Sequence, residues 1–139
     1  MNVVIVGCSR LGARLAGILD QRGHDVTIID RDGSSFRRLP DAFGGVSIIG
    51  TGIDEDVLLS ARCDRADLFI ASTNGDNRNI MAAQLAKTAF GVERVMCRIY
   101  DPIRAKAFGK LGIITICPTV EIADRFLLAA DLDRAAVVE

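Results

Sequence analysis

The sequence predicts an α/β domain built on a doubly wound parallel sheet of about six strands. Short apolar runs rich in Val and Ile recur at nearly regular intervals, and segments with helical spacing of apolar residues lie between them. Residues that make turns or cap helices fall at the joints. Because strands joined by right-handed helical crossovers pair in parallel, we expect helices on both faces and the strand order 3-2-1-4-5-6.

The predicted strands are short and almost continuous apolar runs, as expected where both faces of a parallel sheet are buried. They span residues 3–6, 26–29, 46–49, 68–71, 95–97 and 113–116. At the joints, Gly23 is predicted to end the first helix, whereas Asp54 and Asp101 are predicted to cap later helices. Asp76 is interpreted as another helix cap, and Asn79 as a solvated residue in the turn that follows it.

Composition places the chain among ordinary globular proteins and excludes several functions. Its 139 residues suffice for one domain with its own hydrophobic core. The net charge is -1 and the basic residues are scattered, which argues against nucleic-acid binding. Four separated cysteines and one histidine indicate neither a disulfide framework nor a metal site. No apolar run reaches the roughly 18 residues of a membrane helix, and the first residues do not resemble a signal peptide, so we expect a cytoplasmic location.

The end of the first strand carries the strongest functional signal. Gly7-Cys8-Ser9-Arg10-Leu11-Gly12 stands where a dinucleotide-binding fold places G-x-G-x-x-G, with Ser9 at the middle glycine. Gly7 permits the tight turn and Gly12 permits close packing of helix against strand. Free N–H groups and the helix dipole at this point attract a pyrophosphate. Arg10 is either a phosphate clamp or a solvated arginine, and a turn needed only for packing is the alternative to a binding site.

Asp30 closes the second strand, about 20 residues after the glycine turn, where an acidic residue accepts hydrogen bonds from the ribose. A carboxylate there repels the extra phosphate of NADP, which favours NAD(H) or an adenosine nucleotide. The neighbouring Arg31 and Arg37 weaken this preference. The alternative interpretation is an aspartate that serves only the turn.

Three further loops are expected at the same rim of the sheet, because ligands lie at the carboxyl ends of parallel strands. Gly50-Thr51-Gly52, after the third strand, is predicted to border the adenine ring. Ser72-Thr73-Asn74, after the fourth, offers hydroxyl and amide groups to ribose or phosphate. Arg98 ends the fifth strand and is predicted to join Arg10 around a polyphosphate such as ATP or ADP.

An NAD-dependent oxidoreductase is the main alternative function, since the same turn and aspartate serve dehydrogenases. Hydride transfer usually needs a positioned acid or base. His24 lies at the amino end of the second strand, away from the expected cofactor, and Cys8 is not predicted to be a redox sensor. We therefore predict no catalytic residue, and a structural domain with a vestigial pocket remains a further alternative.

The last predicted helix, residues 120–132, carries more apolar residues than one core-facing stripe requires. Such a surplus favours a partner, either a second copy of the chain or a missing domain. The alternative is a helix packed deeply into its own sheet.

Taken together, these features resemble the regulatory nucleotide-binding domain of potassium channels and transporters, the N-terminal lobe of Trk/Ktr-type RCK (KTN) proteins. The likeness extends from residue 3 to about residue 132 and is carried by several motifs. They are Gly7, Ser9, Arg10 and Gly12, Asp30-Arg31-Asp32, Gly50-Thr51-Gly52, residues 54–58, Ala66-Asp67, Thr73, Asp76, Asn79, Arg98, Pro118 and Glu121. Gly50-Thr51-Gly52 departs from the Gly-Asp-Ala-Thr that is common in the family.

The resemblance implies a Rossmann domain over residues 1–132, with residues 133–139 as a C-terminal extension or the start of a linker. It implies binding of NAD(H), ATP, ADP or AMP without chemistry, control of a membrane-embedded potassium channel or transporter from the cytoplasmic side, and assembly into a homo-oligomer, a dimer or larger. By position, it implies nucleotide contacts at Gly7, Ser9, Arg10, Gly12, Asp30, Arg31, Thr51, Thr73 and Arg98, and a role for Glu121 near the ligand or a subunit interface. Leu11, Gly52, Ser72 and Asn74 complete the predicted site.

Overall fold

The computed structural model describes residues 1–133, and residues 134–139 of the predicted C-terminal extension lie outside the described residues. The strands form one six-stranded parallel sheet in the order β3-β2-β1-β4-β5-β6. They are β1 (Asn2–Val6), β2 (Asp25–Asp30), β3 (Val46–Ile49), β4 (Leu68–Ala71), β5 (Arg94–Arg98) and β6 (Ile114–Ile116). The predicted fold class and strand order are confirmed.

Helices connect successive strands and cover both faces of the sheet. They are α1 (Arg10–Gln21), α2 (Glu55–Ser60), α3 (Asp76–Thr88), α4 (Pro102–Gly109) and α5 (Pro118–Ala129), with short 3-10 segments at Gly33–Arg38 and Cys63–Arg65. Two predicted caps are confirmed, since the Asp54 carboxylate accepts from the amide of Asp56 and the Asp101 carboxylate from that of Ile103. Gly23 follows α1 with a φ of 86°, the left-handed conformation that glycine adopts without strain.

The core lies on both sides of the central strand. Val4 and Val6 of β1 face a cluster completed by α2, α3 and α4, whereas Val3 and Ile5 face a second cluster under α1. All four side chains are nearly or fully buried. Full burial of such a side chain contributes about 1.5–3 kcal/mol, so a strand buried on both faces is selected to be apolar at every position. Burial on both faces explains the continuous apolar runs. Because the strands are parallel, the loops at their carboxyl ends meet at one rim of the sheet.

The last helix stands apart from this core. It begins at Pro118 and ends at Ala129, earlier at both ends than predicted, and none of its residues is buried. Phe126 is 73% exposed, and Val120, Ile122 and Leu128 are also exposed. The alternative of deep packing against its own sheet is therefore wrong, and α5 presents an apolar surface to its surroundings.

Among the helices of residues 1–133, none combines the length and the apolar character that crossing a membrane requires.

Candidate functional site

A cleft of about 460 Å³ runs across the carboxyl ends of the central strands. Cavities of this size accommodate small ligands. Its walls come from the loops after β1, β2, β3 and β4 and from the first turn of α3. Of the residues predicted from the sequence, those that line it are Gly7, Ser9, Asp30, Arg31, Thr51, Gly52, Thr73 and Asn74.

The glycine turn after β1 forms the floor of the cleft and depends on both of its glycines. Gly7 has a φ of +101°, and a Cβ atom there would lie 2.6 Å from the backbone nitrogen of Thr73. A Cβ on Gly12 would collide with the carbonyl oxygen of Gly7 and lie 2.9 Å from the Ser72 hydroxyl. Only glycine at these positions lets α1 begin directly against β1 and the loop after β4.

Ser9 occupies the middle position of the motif as the N-cap of α1. Its hydroxyl oxygen accepts a hydrogen bond from the Gly12 amide at 3.1 Å and donates to the Ser72 carbonyl at 2.8 Å. A hydroxyl group has a single proton to donate, so this proton is engaged within the protein. Ser9 therefore joins the glycine turn to the loop after β4 while it lines the cleft.

Asp30 stands at the tip of β2 with both carboxylate oxygens already engaged by backbone amides. Oδ2 accepts from the Cys8 amide at 2.8 Å, and Oδ1 accepts from the Asp32 amide at 2.9 Å. Each carboxylate oxygen retains a second acceptor site. The side chain is thus fixed in place and is still able to accept the hydroxyl groups of a sugar.

A second carboxylate stands beside it. Asp32 lines the cleft and caps the 3-10 segment that follows β2, accepting from the hydroxyl and the amide of Ser34. These hydrogen bonds lower the pKa of the Asp32 carboxyl below its ordinary value, because they stabilise the carboxylate form. Two carboxylates at this end of the cleft would repel an additional phosphate on a bound ribose, whereas Arg31 between them would attract it.

Arg98 lies beneath the loop after β4 and outside the cleft lining. Its Nη2 donates to the carbonyl oxygens of Ser72 and Thr73 at 2.8 and 2.9 Å, and to Oδ1 of Asn74 at 3.2 Å. The guanidinium also lies 5.1 Å from the centre of the Tyr100 ring. In this arrangement the buried Arg98 supports the loop from below.

Ser72 is fully buried, and its hydroxyl donates to the Gly7 carbonyl.

The other predicted residues also lie away from the cleft lining. Arg10 is exposed and lines a neighbouring open cavity of about 670 Å³ between α1 and residues 38–43, so one chain does not bring Arg10 and Arg98 together around the cleft. Leu11 is 37% exposed at the start of α1, and Gly12 is buried beneath the turn. Glu121 is exposed in the first turn of α5.

Two interpretations of the segment after β4 are wrong. Gly75, not Asp76, is the N-cap of α3, and the Asp76 carboxylate instead accepts from the amides of Tyr100 and Asp101. Asn79 is fully buried rather than solvated. Its amide group bonds Thr73 through Oδ1 and the carbonyls of Thr73 and Arg98 through Nδ2. Both side chains therefore fix the loop after β4 to the end of β5.

Four polar residues of the cleft were not predicted from the sequence, namely Asp32, Ser35, Arg38 and Arg78. Ser35 and Arg38 reach it because the 3-10 segment turns back over the glycine motif, where Arg38 Nη1 donates to the Cys8 carbonyl at 3.1 Å. Arg78 reaches it from the first turn of α3. Their place in the chain could have identified them, because they follow β2 or β4 and both of those loops were expected at this rim.

The Cys8 thiol lies in the glycine turn, whereas His24 lies away from the cleft. Burial and the nearby Asp30 carboxylate raise the pKa of the Cys8 thiol to about 11, so the thiol is protonated at neutral pH. It donates to the Ser35 carbonyl at 3.3 Å. His24 lies at the opposite end of β2, with Nδ1 2.9 Å from the amino-terminal nitrogen. Within residues 1–133, no cluster of three or more His, Cys, Asp or Glu side chains is arranged to hold a metal ion.

Comparison with solved structures supports the architecture. Kef CTD from Shewanella denitrificans, in AMP-bound form, superposes with a TM-score of 0.77 at 20% identity, covering 92% of this chain and 78% of that one. The GsuK channel bound to NAD superposes with a TM-score of 0.74 at 19% identity, covering 91% of this chain and 23% of that one. At these identities the likeness shows a shared fold.

Proteins of similar sequence identify the family of the chain. The TrkA-N domain model matches residues 3–118. The Trk system potassium uptake protein TrkA of Streptomyces coelicolor is 49% identical over 127 residues, which cover 91% of this chain and 57% of that protein. The chain thus spans little more than half the length of this relative. Since the family model extends from the first strand to the start of α5, the chain belongs to the TrkA-N domain family.

Proposed function

We propose that this chain is a regulatory nucleotide-binding domain that binds NAD(H) or an adenine nucleotide, ATP, ADP or AMP, and thereby controls potassium transport. One observation carries the proposal: the fixed Asp30 carboxylate lies directly beside the glycine turn, 2.8 Å from the Cys8 amide. A sugar acceptor next to a helix N-terminus is the arrangement that binds an adenosine phosphate.

The comparisons support both the ligand class and the process. One structural neighbour is bound to AMP and another to NAD, while the Streptomyces coelicolor relative is a potassium uptake protein. The direct contacts we propose are the residues that line the cleft. Gly12, Ser72 and Arg98 act as supports beneath it, and Arg10, Leu11 and Glu121 are proposed to face a neighbouring subunit. No catalytic role is proposed for any residue.

Regulation further requires that the nucleotide bind two conformations with unequal affinity, because equal affinity shifts no equilibrium. We propose that the partner is a membrane-embedded potassium channel or transporter and that the domain acts on its cytoplasmic side. The exposed apolar face of α5 supports assembly of the domain into a dimer or larger homo-oligomer.

Ligand binding is tested by thermal unfolding and calorimetry of the whole chain with AMP, ADP, ATP, NAD and NADH. A ligand present at about 100 times its dissociation constant is expected to add about 2.7 kcal/mol of stability. An unchanged melting temperature with all five compounds would contradict the proposal and favour a vestigial pocket. Steady oxidation of NADH with a small carbonyl compound would instead favour the oxidoreductase.

Assembly is tested by light scattering after gel filtration. Phe126→Glu places a charge at the exposed aromatic position of α5 and is expected to lower the molar mass of the oligomer. Leu59→Glu is the control, because Leu59 is also an exposed apolar side chain, 56% accessible, but lies on α2. A monomeric wild-type chain, or equal effects of the two variants, would contradict assembly through α5.

Control of transport is tested with the partner transporter in liposomes that contain the complete regulatory protein. We expect the nucleotides that bind to change potassium flux, and we expect Asp30→Asn to abolish this response. Asp25→Asn, at the other end of the same strand, is expected to leave the response intact. If no bound nucleotide changed the potassium flux, control of transport would be contradicted and nucleotide binding alone would stand.

A further inference from the structure

We propose that Arg78 recognises the phosphate beyond the first one, so that the cleft prefers a diphosphate such as ADP or NAD(H) over AMP. The inference rests on the proposed nucleotide function. It concerns a residue that neither the glycine motif nor the aspartate predicts.

The order of the strands places Arg78 across the glycine turn from Asp30. Strands β2 and β4 pair with β1 on opposite sides. Asp30 and Arg31 follow β2, whereas Arg78 follows β4 in the first turn of α3. All three line the same cleft. A ligand that lies across the end of β1 therefore meets the carboxylate at one end and Arg78 at the other.

This arrangement gives the ligand a direction. With the ribose hydroxyls on Asp30, the first phosphate lies over the amides at the start of α1, the position that a helix N-terminus favours for an anion. Any further phosphate then extends toward the β4 side, where Thr73, Asn74 and Arg78 form the wall. AMP has no group that reaches this side, whereas ADP, ATP and NAD(H) do.

The guanidinium of Arg78 is held at this wall without a protein anion. It lies over Gly75, where a Cβ atom would be 2.9 Å from Nε and 3.1 Å from Nη2. The side chain is half-buried. Within residues 1–133, the Arg78 side chain forms no ion pair and no hydrogen bond with another protein group.

Neither carboxylate of the flanking loops forms an ion pair with Arg78. The Asp76 carboxylate accepts from the amides of Tyr100 and Asp101, and the Asp30 carboxylate accepts from two amides on the other side of the turn. Of the other arginines, Arg38 donates to the Cys8 carbonyl and Arg98 donates to the loop after β4, while Arg31 lies on the β2 side of the cleft. On the β4 side, Arg78 is thus the cation whose planar N–H groups remain for a bidentate contact with a phosphate.

The test is calorimetric titration of the full chain with AMP and with ADP. For Arg78→Gln we expect about a tenfold loss of ADP affinity, equal to about 1.4 kcal/mol, while AMP affinity changes less than about twofold. Arg78→Lys should retain part of the ADP affinity, because it keeps the charge but loses the planar fork. NADH should follow ADP. Unchanged AMP binding by the same variant shows that the cleft is still folded.

Arg104→Gln is the matched control. Arg104 is also an arginine near the start of a helix, but it donates to Asn77 and lies outside the cleft lining. Affinities of this variant for AMP and ADP should equal those of the wild type. Equal losses of AMP and ADP affinity in Arg78→Gln, or no loss of either, would overturn the role of Arg78 and leave the nucleotide function standing. A wild-type chain that binds no nucleotide would overturn both.

Discussion

The Asp30 carboxylate accepts a hydrogen bond of 2.8 Å from the amide of Cys8 and so joins the tip of β2 to the glycine turn after β1. The other carboxylate oxygen accepts from Asp32, which begins the turn into the 3-10 segment. One side chain therefore fixes the shape of the floor and, in the proposed function, supplies the acceptor for a sugar. The structural role and the proposed binding role coincide at this residue, and substitution should affect both.

Asp30→Asn should weaken nucleotide binding about tenfold or more, because the amide replaces one acceptor oxygen with a donor. It should also lower the free energy of unfolding by about 1–3 kcal/mol, since a backbone amide loses its partner. Calorimetry and urea unfolding measure the two effects. Asp25→Asn, at the exposed amino end of β2, should change neither. Undiminished binding by Asp30→Asn would refute the sugar contact.

Gly12→Ala should destabilise the domain by about 1–3 kcal/mol, because its methyl group would collide with the Gly7 carbonyl, a backbone atom that cannot rotate away. Gly109→Ala is the matched control, since its Cβ would make an ordinary contact 3.5 Å from the Thr115 hydroxyl. This second variant should be neutral or slightly stabilising, because alanine favours a helix. Thermal and urea unfolding compare the pair, and equal stability of the two variants would count against close packing at Gly12.

Asn79→Ala should lower the free energy of unfolding by about 1–3 kcal/mol for each buried group that it leaves unbonded. The groups in question are the amide of Thr73 and the carbonyl of Arg98. Asn77→Ala, two residues earlier in the same helix, removes an exposed hydrogen bond to Arg104 and should cost less than about 0.5 kcal/mol. Urea unfolding distinguishes the two, and a small effect at both positions would show that the buried amide is dispensable.

Alkaline pH should destabilise the domain through its buried thiols. Burial, followed by a neighbouring carboxylate, raises the pKa from 9.0 to about 11 for Cys8 and to about 12 for Cys63 and Cys97. The folded pKa values exceed the unfolded pKa, so the folded protein favours the neutral thiols. The stability that these thiols contribute is fully present below the unfolded pKa and is lost as the pH rises through the folded pKa values. Urea unfolding between about pH 8 and pH 11 measures the decline.

Cys63→Ala provides the control for that decline, since lysine and tyrosine side chains also titrate in alkali. The variant should lose less stability than the wild type over the same pH interval, whatever its stability at neutral pH. Identical pH dependence in the two proteins would mean that the Cys63 thiol does not contribute.

Much of the site was predictable because its main parts are local in sequence. Gly7 and Gly12 stand at fixed spacing in one turn, and Asp30 ends the next strand of an alternating pattern. Asp76 and Asn79 were misinterpreted because a helix cap and a solvated first turn have the same sequence signature as side chains that bond across loops. Arg78 was missed because helix position alone does not give the direction of a long side chain.

The parallel sheet, its strand order and the glycine turn were predictable, because apolar runs, capping residues and glycines act through short-range sterics and burial. Long-range packing set the place of Arg98 beneath the loop after β4, the direction of Arg78 toward the cleft and the position of α5 away from the core. These outcomes depend on which side chains meet across strands distant in sequence. Such packing is a property of the whole fold and produces no recognisable pattern in any short stretch of the sequence.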